Sequence, residues 1–228
     1  MKKPIPFKDL ERPKLTREKI LEAAFHIAKE QGLANVSMRH VANLLQVKAM
    51  SLYKYIENKD DLLDGVIELV IKKIPLPLEN TSWKQALKVR ANSEYKILSE
   101  HAWIIHLLET RSGTGTERLL HQNNLLALLR SSGFSIELAF QTMIIVTGYV
   151  YGFVVFATAW SPKSKERAKT VKKARQEIHP STHPYIVEAI TFAQNRMKNK
   201  EHHGNDIEFN FGLDLILDSI ELRLQRKT

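Results

Sequence analysis

The 228 residues predict an all-α fold in two parts, a small helix-turn-helix domain followed by a larger helical domain. Three observations carry that prediction. Apolar residues recur at helical spacing in segment after segment, and the breaks between segments contain Gly, Ser or Pro. No alternation of period two is long enough for a strand. Within Ser37–Asp61, two short periodic segments meet across a break of a few residues, which forces an abrupt change of helix direction.

Residues 1–15 carry Pro4, Pro6 and Pro13 among Lys2, Lys3, Lys8, Arg12 and Lys14. They read as a flexible basic arm, either following DNA phosphates or simply frayed. Thr16 caps a helix that runs to Gln31, with Ile20, Leu21, Ala24, Ile27 and Ala28 as its buried stripe and Gly32 as its C-terminal cap. A second helix spans about Ser37 to Leu45, with Val41, Leu44 and Leu45 on one face. A third spans about Lys48 to Tyr55. There only Leu52 and one or two neighbours are committed to a core, which leaves Lys48, Ala49, Met50, Ser51, Tyr53, Lys54 and Tyr55 facing outward. A fourth starts at Asn58, a capping residue followed by two first-turn acids, and continues to about Ile74, where Pro75 and Pro77 stop it. The helix-turn-helix domain is therefore expected at 16–62, a linking helix at 59–74 and the second domain at 63–228. Further helices are expected at Trp83–Ser99, Ala102–Arg111, Glu117–Ser131, Ser135–Trp160, Pro184–Lys200 and Ile207–Arg226.

The formal net charge of +9 favours polyanionic partners, but the charge is divided. Residues 1–60 hold 12 Lys and Arg against 7 Asp and Glu; residues 161–179 hold 7 against 2. Charge alone therefore does not single out the helix-turn-helix, and the later run reads first as a solvated loop. The lack of cysteine excludes disulfides and thiolate chemistry and fits a reducing cytoplasm. Met1–Lys14 has no apolar run of the signal-peptide kind. Gln141–Trp160 holds about twenty uncharged residues, roughly a bilayer's thickness, but it is only moderately apolar and has no companion. It reads as a helix buried on nearly all sides within a soluble protein, with no membrane partner.

Val47-Lys48-Ala49-Met50-Ser51-Leu52-Tyr53-Lys54-Tyr55-Ile56, followed by Asn58-Lys59-Asp60-Asp61-Leu62-Leu63, resembles the DNA-reading end of tetracycline-repressor (TetR) family regulators. The Leu-Tyr pair, the aromatic two residues on and the Asn-Lys opening of the next helix carry the likeness. Gln46 departs from it, standing where the family usually has a turn glycine. Looser matches follow at His101–Arg111, Ser132–Ser135 and Phe209–Ile220. The resemblance implies a homodimeric, ligand-responsive transcriptional repressor on a palindromic double-stranded DNA operator. Arg39, Lys48, Ala49, Met50, Ser51, Tyr53, Lys54, Tyr55 and Lys59 are then the expected DNA contacts. Lys48 to Ser51 are best placed for base edges, the two tyrosines and the later lysines for phosphates. One of Tyr53 and Tyr55 could instead pack inside the small domain.

Surplus apolar residues on the long helix from Ser135 and on the last helix point to an interface, and the resemblance implies that these two helices pair with their mates as a four-helix dimer bundle. A small-molecule effector is expected among the helices between Trp83 and Trp160, lined by Tyr95, Trp103, His106, Leu107, Arg111, Thr147 and Tyr151, each of which could also be ordinary core. In tetracycline-binding relatives a histidine holds the drug's magnesium. The corresponding positions here are Pro75 and Leu107, which cannot ligate a metal, so a hydrophobic or aromatic effector other than tetracycline is expected, with no metal and no cofactor. An α-helical enzyme finds little support. His179 and His183 are flanked by prolines, His202-His203 lies in a loop, and His101, His106 and Glu109 lack a nucleophile or a phosphate loop beside them. A helix-turn-helix activator or a partner-regulated DNA-binding protein stays open as the alternative.

Overall fold

Local capping signals start several of the helices in the computed structural model, which describes residues 15–76, 81–111, 115–159, 169, 172–173, 177–198 and 206–226. The basic arm, most of the basic run at 161–179 and His202-His203 lie outside the described residues. Thr16 accepts from the Lys19 amide at 3.3 Å and opens α1 (Arg17–Gln31), and Gly32 closes it through an N–H to the Ala28 carbonyl. The buried stripe is the expected one with Ala23 added. After a single 3-10 turn, Ser37 caps α2 (Met38–Leu44) by accepting from the His40 amide at 3.2 Å. Then come α3 (Ala49–Leu52) and α4 (Lys59–Ile71), the latter capped by Asn58, whose side chain accepts from the Asp61 amide at 2.9 Å.

Three expectations change here. The buried face of α2 is Met38, Val41 and Ala42, and Leu44 is 46% exposed. At 3.6 residues per turn, Leu44 points roughly 110° away from that face. The third helix is also shorter than Lys48–Tyr55, because residues 53–55 tighten into a turn in which the Tyr55 amide donates to the Leu52 carbonyl at 2.9 Å. Finally, α4 ends at Ile71, and the Ile74 amide then donates to the Ile71 carbonyl at 2.9 Å just ahead of Pro75.

The chain divides into two compact units, residues 1–69 and 70–228, with the boundary in the last turn of α4. The second unit contains α5 (Trp83–Glu100), α6 (Trp103–Thr110), α7 (Thr116–Ser131), α8 (Ile136–Ala159), α9 (Pro184–Lys198) and α10 (Asp206–Gln225). No strand occurs among the described residues. Its core joins α5, α8 and α10: Tyr95 stacks on Phe209 with ring centres 4.2 Å apart, and Phe153 meets Phe209 edge-on at 5.3 Å. A polar ladder ties α5 to α10 alongside, with Lys84 to Asp218 at 2.7 Å, Lys88 to Asp214 at 2.6 Å and Asn92 to Asn210 at 3.0 Å. Gly212 of α10 stands against α8 so closely that a Cβ there would lie 2.3 Å from the Tyr149 hydroxyl, which donates to the Phe209 carbonyl at 2.8 Å.

The long apolar helix corrects its sequence reading. Leu138, Ala139, Thr142, Val146, Val150 and Val154 form one buried face of α8, while Phe140, Ile144, Ile145 and Phe156 stand about half exposed. Ile136–Thr158 is long and apolar enough to cross a membrane, but its buried side packs within this unit. Its uncovered side is an apolar surface rather than a core.

Candidate nucleic-acid interface and regulatory interior

The turn between α2 and α3 is built by backbone hydrogen bonds. The Val47 amide donates to the Ala42 carbonyl at 3.0 Å and the Gln46 amide to the Asn43 carbonyl at 3.1 Å, which is the Schellman arrangement. That arrangement needs a left-handed residue, and Gln46 takes it at φ 55°, the one non-glycine among the described residues with positive φ. The turn after α7 repeats the pattern, with Phe134 N–H to Leu129 O and Gly133 N–H to Arg130 O, both at 3.2 Å, but glycine holds the strained position there. Left-handed backbone costs an L-residue about 1 kcal/mol, so the helix-turn-helix carries strain that the second turn avoids.

Beyond the turn, Leu52 and Ile56 are buried and anchor the segment. Met50 is 76% exposed, Tyr53 is 48% exposed, Lys48, Lys54 and Lys59 are exposed, and Ala49, Ser51 and Tyr55 are half-buried. Arg39 stands exposed on α2. All nine expected contact residues thus keep solvent-facing surface, and Tyr55, not Tyr53, is the tyrosine that partly packs.

A network of one guanidinium fixes the end of this segment. Arg17 Nη1 donates to the Tyr55 carbonyl at 2.7 Å and to Asp61 Oδ2 at 3.0 Å, and Nη2 donates to Asp61 Oδ1 at 2.6 Å. Asp61 Oδ2 also accepts the Glu57 amide at 2.8 Å. The hydrogen bonds from Arg17 hold the Asp61 carboxyl below its ordinary pKa, and Asp61 in turn raises that of Arg17.

The second unit buries polar groups that the sequence did not single out. Glu94 and His121 are 5% and 4% exposed. Arg90 Nη1 meets His121 Nδ1 at 3.0 Å, so that nitrogen accepts and the ring is neutral, while Arg90 Nη2 stays 3.8 Å from Glu94 Oε2, beyond a hydrogen bond. Burial raises the Glu94 pKa against the opposing pull of Arg90, and burial followed by Arg90 lowers that of His121. Tyr151 on α8 is raised by burial and then by Glu94. Thus α5, α7 and α8 bring a guanidinium, a carboxyl, an imidazole and a phenol together inside one helical layer. Beside Arg90, among Pro75, Thr81, Gln85 and Val89, lies a hollow of about 20 Å³, room for about one water.

Of the predicted lining residues, Tyr95 and Leu107 are buried, and Trp103, Arg111, Thr147 and Tyr151 are half-buried. His106 is exposed, which takes it out of the interior, and His101 is buried. Among the described residues, no three His, Asp or Glu side chains gather as a metal site. Between α8 and α10 an open groove of about 550 Å³ is lined by Leu138, Ile144, Ile145, Leu215, Ile220 and Arg223.

Fold and site together define a DNA-binding regulator of the helix-turn-helix class, with a separate helical sensing unit. The family model for bacterial regulatory proteins of the tetR family matches residues 20–66, and that for the tetracyclin repressor-like C-terminal domain matches residues 76–224. The chain belongs to the tetracycline repressor family. It is 27% identical over 222 residues to the HTH-type transcriptional repressor DrrR1 of Streptomyces coeruleorubidus, covering 95% of this chain and 81% of that protein. Tetracycline repressor protein class G of Vibrio anguillarum is 26% identical over 217 residues, covering 91% and 94%. Among solved structures, ActR of Streptomyces coelicolor in complex with actinorhodin superposes with a TM-score of 0.71 at 22% identity, covering 92% of this chain and 99% of that one.

Proposed function

We propose that the protein is a cytoplasmic, homodimeric repressor that binds a palindromic operator and releases it when a small effector enters the second unit. The observation that carries this reading is the segment from Lys48 to Lys59, pinned by Leu52 and Ile56 while Met50, Tyr53 and three lysines stay outside. Lys48, Ala49, Met50 and Ser51 read base edges, with Met50 and Ala49 against thymine methyls. Arg39, Tyr53, Lys54, Tyr55 and Lys59 hold phosphates.

Dimerisation runs through the uncovered sides of α8 and α10, where Phe140, Ile144, Ile145, Phe211, Leu215 and Leu222 stand 49% exposed or more. The effector lies against Tyr95, Leu107 and Thr147, with Arg90, Glu94, His121 and Tyr151 as polar anchors; His106 is no longer among the lining residues. ActR, which shares the fold, has been solved with actinorhodin bound. The hollow beside Arg90 is too small for such a molecule, so the helices part on binding and carry the end of α4 with them. Selection from a random-sequence duplex pool tests the reading. Two inverted half-sites with centres about one helical turn apart or slightly more are expected; a pool without an inverted repeat, or operator affinity unchanged by every ligand that binds the second unit, overturns it.

A further inference from the structure

We infer that Arg17 is a positioning residue for operator recognition, holding the exit of the recognition segment against the start of α4 without touching DNA itself; this rests on the repressor reading above. The last carbonyls of a helix lack intrahelical partners, and Tyr55, just beyond α3, is such a case. Its oxygen is taken by Arg17 at 2.7 Å, from the first position of α1. The remaining Arg17 donors grip both oxygens of Asp61, the third residue of α4, at 3.0 and 2.6 Å. Asp61 in turn holds the Glu57 amide at 2.8 Å and its own amide donates to Asn58 at 2.9 Å. One fork therefore sets the turn from Tyr55 to Asp61, and with it the direction of Tyr55 and Lys59, from a helix that precedes the helix-turn-helix in the chain.

A four-residue α3 cannot set its own direction by helix length, so an outside clamp at its exit adds to the anchoring by Leu52 and Ile56. The planar guanidinium suits this role because it donates along two parallel lines to a carboxylate and has a further direction for the carbonyl. An arginine near DNA would ordinarily be assigned to a phosphate, but here Nη1 is shared between two protein acceptors and Nη2 is paired at 2.6 Å.

The test measures wild type, Arg17→Ala, Arg17→Lys and Asp61→Asn on the selected operator and on a scrambled duplex across a salt series. Circular dichroism confirms folding, and stoichiometric titration gives the active fraction. A positioning residue lowers the ratio of operator to scrambled affinity, expected about tenfold, equally in all three variants. It leaves the slope of log affinity against log salt unchanged. Lysine does not rescue, because a point charge replaces the fork. A phosphate contact gives the opposite set: the slope falls by about 0.9 in Arg17→Ala, Arg17→Lys recovers it, and Asp61→Asn has no effect or binds tighter. That set overturns the inference, as does an unchanged specificity ratio in all three. If Arg17→Ala does not fold, Asp61→Asn carries the decision alone. A wild type that selects no operator defeats the repressor reading instead, so the two failures are distinct.

Discussion

The two units handle polar side chains in opposite ways. The first keeps the proposed DNA contacts outside, on a segment whose only deep anchors are Leu52 and Ile56. The second draws Glu94 and His121 inside and leaves large apolar side chains in the open on α8 and α10. Polyanionic DNA is met from water, where exposed lysines cost nothing to keep charged. In the function proposed above a small molecule is met inside, where a polar group is costly unless it is partnered.

The largest test of that contrast concerns the uncovered apolar face. Leu215→Arg is expected to give a monomer by sedimentation at micromolar concentration and to lower operator affinity about 100-fold or more, since two linked half-sites gain at least that from effective concentration. Unchanged sedimentation would remove α10 from the interface. Next comes the interior. Arg90→Ala should raise the effector concentration needed for half-release at least tenfold, the scale of a charged hydrogen bond of about 1.5–3 kcal/mol. Its operator affinity without effector should stay within about twofold; loss of both would make Arg90 structural.

Two carboxyls, Asp61 in the first unit and Glu94 in the second, should also answer pH with opposite signs. Asp61, lowered from 3.8, contributes stability that is present above that value and is lost as pH falls through its folded pKa. Glu94, raised from 4.5, contributes stability that is full below 4.5 and is lost as pH rises through its folded pKa. His121, lowered from 6.5 on the same cluster, runs with Asp61, so the difference between wild type and Glu94→Gln isolates the carboxyl. Thermal melts should show Glu94→Gln gaining on wild type as pH rises from about 4.5; a difference that is flat or reversed would mean that Glu94 is stably ionised. The smallest effect is at the turn. Gln46→Gly should stabilise the first unit by about 1 kcal/mol in urea, offset in part by added freedom in the unfolded chain. No gain would mean that the Gln46 side chain repays its strain.

Much of this was legible in the sequence because its causes are local. Thr16, Ser37 and Asn58 cap where capping residues at the edge of a periodic run should, and Gln46 falls where a left-handed turn was expected. Leu44 misled because a seven-residue helix has too few turns for its period to be read. The exposed side of α8 was obscured because composition cannot say which face another helix covers. The interior cluster was missed for a different reason. Arg90 and Glu94 are spaced i, i+4, which ordinarily reads as a solvated pair. A signal was present all the same, since Glu94 keeps step with Leu87, Ala91 and Leu98 on the buried stripe of α5.

At Gly212 the consequence is a matter of sequence variation. The Tyr149 hydroxyl occupies the place of a side chain, held there by the Phe209 carbonyl and by the Phe209 ring, 5.4 Å away. Any side chain at position 212 must therefore displace the Tyr149 ring and its hydrogen bond, so a saturation library there should favour glycine, while the exposed Phe211 beside it is limited only by what covers that face. Neighbours on one helix would then drift at very different rates, and that contrast would mark the crossing of α8 and α10 in any set of descendants of this chain.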